Sequence, residues 1–174
     1  MPAQEKNPLT AAFEFIRSGS VRETESILRS HPELINQHTY FAGGTLLHYA
    51  AAESTSEVVK LLIDLGFDVN LKGKTYQDSA LDSACCNGHL DNVKMLLQHG
   101  AKIVRAQSHT DPLFGAIIGR SPDIVRLLIE NGVDPNKRHT LGSGAIVDAH
   151  DFAVMRGELE CASVIVSLMS RQVQ

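Results

Sequence analysis

Five stretches of this 174-residue chain lie on one another in register, and that internal periodicity limits the fold more than any single residue does. The segment "TLLHYAAAESTSEVVKLLIDLGFDVN" (Thr45 to Asn70) is followed 34 places later by "SALDSACCNGHLDNVKMLLQHGAKIV" (Ser79 to Val104), residue for residue. The segment "DPLFGAIIGRSPDIVRLLIENGVDPN" begins 32 residues after Ser79, at Asp111, and "DAHDFAVMRGELECASVIVSLM" a further 37 on, at Asp148. Upstream, Thr10 to Asn36 fits with one extra residue before its Asn. Residues 8–36, 41–70, 75–104, 107–136 and 144–170 therefore read as five copies of one unit, within a single domain spanning 1–174.

Each place in the unit has a physical job. A Thr, Ser or Asp opens every copy (Thr10, Thr45, Ser79, Asp111, Asp148), where a side-chain oxygen can accept from the free N–H groups of a helix start. Pro112 stands at a first helical place, where its missing N–H costs nothing. Small residues five places after the cap (Ala50, Ala84, Ala116, Ala153) let neighbouring helices approach, and Leu47, Leu81 and Leu113 fill the space between them. Gly19, Gly88 and Gly157 suit a left-handed end to the first helix. Ser56 and Ser121 are then expected to cap a second helix with apolar residues at helical spacing, among them Val58, Leu62, Val93, Leu96, Ile124 and Leu128, before Gly66, Gly100 and Gly132 end it. The unit is helix, turn, helix, loop. Helices this short cannot bury their apolar faces alone, so stacking of the copies must create the core.

These units resemble ankyrin repeats, whose unit of about 33 residues carries a T-P-L-H-x-A signature, two antiparallel helices and a hairpin-like loop. The resemblance covers roughly residues 8–170 and implies an all-α solenoid of stacked helix-turn-helix units. Leu46 stands in place of the signature Pro, while Asp82, Phe114 and Asp151 stand where His48 does. That substitution pattern speaks against catalysis by His48, because one reaction would not run on His, Asp and Phe in turn. The resemblance implies that His48 hydrogen-bonds within and between repeats near Thr45.

Other chemistry-bearing stretches point nowhere sharply. "AHD" (149–151) looks like part of a metal site, but no second cluster lies at ligand spacing. "LGSGA" (141–145) lacks the lysine of a phosphate-binding loop and the strand of a dinucleotide fingerprint. Cys85, Cys86 and Cys161 are odd in number and lack C-x-x-C spacing, which suits free thiols in a reducing compartment. No catalytic, cofactor-binding or metal residue is expected, and the chain is not expected to be an enzyme. A net charge of -4 offers no global attraction to nucleic acid, and 5% aromatics without Trp make a poor base-stacking platform. No apolar run is long enough to span a bilayer, and the first thirty residues lack the basic start, apolar core and small-residue cleavage site expected of a secretory leader. A cytoplasmic protein-binding module is the expectation. Its rivals, an enzyme or a nucleic-acid binder on the same scaffold, would require an acid–base constellation assembled in space or a steep salt dependence of binding.

Function then falls to places the repeat does not need for its own stability. By resemblance, ankyrin stacks bind partner proteins on a concave face made of loop tips and the ends of the first helices. Carried over by offset, this face comprises Phe41 with Glu53, Tyr76 and Asp78 with Cys86 and Asn87, Ile118, and Met155 with Arg156. Phe41, Tyr76, Ile118 and Met155 would form an apolar centre. Eleven residues separate Asn136 from Asp148, against eight between Asn70 and Ser79, so the last loop is a longer finger opening with Lys137, Arg138 and His139. Such a finger could meet an acidic patch, although loops also lengthen cheaply. A monomer is expected, with room for a weak dimer contact through the apolar last helix. The expected role is that of an inhibitor masking its partner or a small adaptor, with an immunity-type or host-directed effector protein as the alternative.

Overall fold

The structure is a computed structural model, and the residues it describes are 7–39, 43–103 and 111–171. Phe41 lies outside them. Among the described residues, helices run in pairs: α1 (Pro8–Arg17) with α2 (Val21–Ser30), α3 (Leu46–Glu53) with α4 (Ser56–Asp64), α5 (Ala80–Cys86) with α6 (Leu90–Gln98), α7 (Pro112–Ile118) with α8 (Pro122–Glu130), and α9 (Ala149–Arg156) with α10 (Leu159–Arg171). First helices pack on first helices of the neighbouring units and second helices on second helices, so the molecule has two layers with one continuous core. Ala50, Ala84, Ala116 and Ala153 are all fully buried, which is the close approach their size permits. The all-α architecture is as the repeat requires, apart from a two-stranded ribbon in the last loop, β1 (His139–Thr140) against β2 (Ile146–Val147).

Two caps differ from the sequence reading. Helix α1 begins at Pro8, with Asn7 accepting from the Leu9 N–H at 2.9 Å, so Thr10 lies inside it. The reason is local: Pro8 has the fixed φ of a helix start and no N–H to satisfy. Thr55 precedes α4, and Ser56 is its first residue. In the turn between paired helices Gly88 and Gly157 are left-handed as expected, and Arg120 takes φ 53° at the same offset without a glycine's freedom.

Polar side chains tie consecutive units together. Asn36 Oδ1 accepts from the Asp68 N–H at 2.7 Å and its Nδ2 donates to Gly66 O at 3.3 Å; Asn70 repeats this with the Lys102 N–H (2.8 Å) and Gly100 O (3.0 Å). Asn92, 2% exposed, stands where Val58 and Ile124 stand in other units, and its amide donates to Ala51 O (3.1 Å) and Ser54 O (2.9 Å) at the end of α3. Among the described residues, the outer face of the last unit is uncovered. Val154 is 48% exposed, whereas Ile16, Ala51, Cys85 and Ile117, at the same offset, are fully buried by the unit that follows each of them.

Candidate functional site

His48 is 6% exposed, and both of its ring nitrogens are engaged. The Thr45 backbone N–H donates to Nδ1 at 3.1 Å, which places the proton on Nε2, and Nε2 donates to the Asp78 carbonyl of the next unit at 3.3 Å. Burial pushes the His48 pKa down, so the ring is a neutral bridge between units at neutral pH. Asp82 performs the first half of this task one unit later: its Oδ2 accepts from the Ser79 N–H (2.7 Å) and the Ser79 hydroxyl (2.8 Å). Burial raises the Asp82 pKa, opposed by those Ser79 bonds and by Lys72, whose Nζ lies 3.6 Å away.

The fourth unit builds its link differently. With Phe114 at this offset, the next loop supplies the histidine: His139 Nε2 lies 3.1 Å from Asp111 Oδ2, and its ring is 4.8 Å from that of Phe114. Phe114 in turn stacks on Phe152 at 4.3 Å. Of the three residues opening the long loop, His139 is thus turned inward, with a side chain only 13% exposed, and Arg138 lies 3.9 Å from the Asp151 carboxylate.

Five of the residues singled out by offset line a single groove. Tyr76 and Asp78 from the loop before α5, Cys86 and Asn87 from its end, and Ile118 from the end of α7 surround about 360 Å³ of open space. Its origin lies in one row of the repeat. At the fourth place after the cap, Tyr49 and Phe152 fill the second and fifth units with rings, while Ser83 and Gly115 leave the third and fourth units hollow. A Cβ on Gly115 would sit 3.0 Å from Cys86 Sγ, so even a methyl group would intrude. Offsets alone pointed to loop tips and helix ends and missed Asp82, Ser83, Asp111 and Gly115, which also line the groove. The signal available was that pair of small residues flanked by two aromatic ones. Glu53, Met155 and Arg156 lie outside the groove; Met155 is 61% exposed, and the Arg156 guanidinium sits 5.6 Å over the Phe152 ring.

The groove has an acidic bias. Among the described residues, Asp78 Oδ1 is shut off from solvent with no hydrogen-bond partner, although the residue's backbone carbonyl accepts from the Gly73 N–H (2.8 Å) and from His48. Partial burial, and then the Asp82 and Asp78 carboxylates, push the Cys86 thiol pKa up, so it stays protonated rather than poised as a nucleophile. Near the opposite end, Asp148, His150 and Asp151 bring ligand-type atoms within 4.8 Å of one another, but Asp148 Oδ1 already accepts from the Asp151 N–H as the α9 cap.

Comparison with known proteins follows the same lines. A family profile described as ankyrin repeats (three copies) matches residues 14–107, more than half of the chain. The chain belongs to the ankyrin-repeat family. Among its relatives, a probable E3 ubiquitin-protein ligase of Oryza sativa (XBOS33) is 31% identical over 150 residues, covering 85% of this chain and 28% of the relative. An E3 ubiquitin-protein ligase of Arabidopsis thaliana (XBAT33) is 31% identical over 136 residues, 76% of this chain and 26% of its own length. An ankyrin repeat and KH domain-containing protein of Caenorhabditis briggsae is 32% identical over 139 residues, 75% of this chain but 5% of that protein. The ankyrin stack thus spans little more than a quarter of the two plant relatives. Ankyrin repeats are protein–protein interaction structures, and among the described residues no helix is long and apolar enough to cross a membrane.

Proposed function

We propose that this ankyrin stack is a non-catalytic recognition module that binds a partner protein through the face carrying its loops and first-helix ends, with the groove between α5 and α7 at the centre. The observation that carries the reading is convergence. Tyr76, Asp78, Cys86, Asn87 and Ile118 come from three chain segments with no need to meet for the repeat's own stability, yet they surround one hollow. Tyr76 is 67% and Ile118 42% exposed, so large apolar groups face solvent beside carboxylates, the mixture expected of a protein-binding hot spot. Glu53, Met155 and Arg156, and in the loop Lys137 and Arg138, belong to the same face by their offsets in the repeat, as does Phe41, which lies outside the described residues.

Two roles fit such a module: masking a partner's surface, or acting as an adaptor that presents the partner to an enzyme. The adaptor role gains support from the relatives named as ubiquitin ligases, in which the matched stretch is a minor part of the whole. Affinity capture with wild type beside a Tyr76→Ala, Ile118→Asp double variant tests the face. Equal recovery of the same partner by both proteins would refute it. Partner abundance then separates the roles: an adaptor to degradation lowers it, and a mask leaves it unchanged while lowering the partner's activity.

A further inference from the structure

We infer that the groove between α5 and α7 receives an extended partner segment that carries one arginine or lysine beside an aliphatic residue. The inference rests on the proposed binding face and specifies its ligand. Three carboxylates line the groove, and two have partners within the chain: Asp82 with Lys72, and Asp111 with His139. Asp78 is different. Among the described residues no ion pair reaches it; its Oδ1, sealed beside Gly73 without a donor, takes no ligand itself, and a cation placed in the groove lowers the cost of that charge through space.

The walls limit the shape of the occupant. Ile118 and Tyr76 add exposed apolar surface to the same lining, so a side chain that brings a cation towards Asp78 can also lie against them. Arginine and lysine have this build, with an aliphatic stem and a terminal cation, and the Tyr76 ring offers a face for the guanidinium. A volume of about 360 Å³ accommodates a few side chains and not a folded domain, which calls for an extended segment. An acidic or phosphorylated segment would meet like charge at the groove floor.

Random peptides displayed on phage and selected on the whole protein supply the probe. Enriched sequences should share an Arg or Lys next to Leu, Ile or Val. Synthetic versions should lose about tenfold or more in affinity when Arg is exchanged for its neutral isostere citrulline, and again when the peptide meets Asp78→Asn, with the two losses not adding. Ser83→Phe, which refills the hollow as Tyr49 and Phe152 do, should abolish binding while circular dichroism shows the fold intact. Peptides sensitive to Ser83→Phe but indifferent to citrulline and to Asp78→Asn would overturn the cation requirement and leave the binding face standing. Peptides indifferent to Ser83→Phe, Ile118→Asp and Asp78→Asn alike would overturn both. Absence of enrichment over the Ser83→Phe protein would also overturn the inference.

Discussion

Replacing His48 by alanine removes one acceptor and one donor from a buried junction. The Thr45 N–H, in a residue 2% exposed, loses its Nδ1 acceptor, and an unpaired buried donor costs about 1–3 kcal/mol. The Asp78 carbonyl loses the Nε2 donor but keeps the Gly73 N–H at 2.8 Å, so its share is about 1 kcal/mol. Together the loss is about 2–4 kcal/mol. With a urea m-value of about 2 kcal/mol/M, the unfolding midpoint should fall by about 1–2 M in far-UV circular dichroism at a pH well above the ordinary histidine pKa. His48→Asn separates the parts. An amide oxygen at this place can accept from Thr45 as Asp82 does from Ser79, but is too short to reach Asp78, so about half the loss should return. Hydrogen exchange should localise the weakening to the junction between α3 and α5. A loss below about 0.5 kcal/mol for His48→Ala, or an Asn variant no better than Ala, would refute the bridging argument.

Burial lowers the folded-state pKa of His48 below its unfolded value, so the stability held by its neutral form is full above about pH 6.5 and declines as pH falls through the lowered value; His48→Asn should flatten that arm of a pH–stability curve. Asn92→Ala should cost about 2 kcal/mol in chemical denaturation, because the Ala51 and Ser54 carbonyls lose their cross-unit donor. His139→Ala should leave the helix stack folded but lower amide protection of the 139–147 ribbon, since Asp111 Oδ2 loses His139, while Oδ1 keeps the Leu113 N–H, and Phe114 loses a ring contact. Val166→Glu, on the open end of the stack, should change stability by less than about 0.5 kcal/mol, whereas Ile129→Glu, at the same offset but 4% exposed, should lose more than about 3 kcal/mol in the same assay.

The periodic chain alone determined that helix pairs stack and which of their faces meet. Apolar spacing, small residues five places after each cap and glycines at helix ends act over a few residues, so each is recorded in sequence at a fixed offset. The structural role of His48 was legible for the same reason, from its replacement by Asp and Phe at one offset. Cap positions were less so, because Asn7 and Thr55 compete with near neighbours of equal capping ability. What only the tertiary structure decided lies between units. Whether Tyr76 and Asp78 face Ile118 depends on how far α5 and α7 are held apart, and Ser83 and Gly115 set that hollow by what they lack. His139 could be read as a free basic tip until the fold brought Asp111 and Phe114 beneath it, 28 and 25 residues upstream. Contacts over such distances follow from packing geometry that no local pattern encodes. Repetition therefore revealed the scaffold, while the hollow arises where neighbouring copies differ.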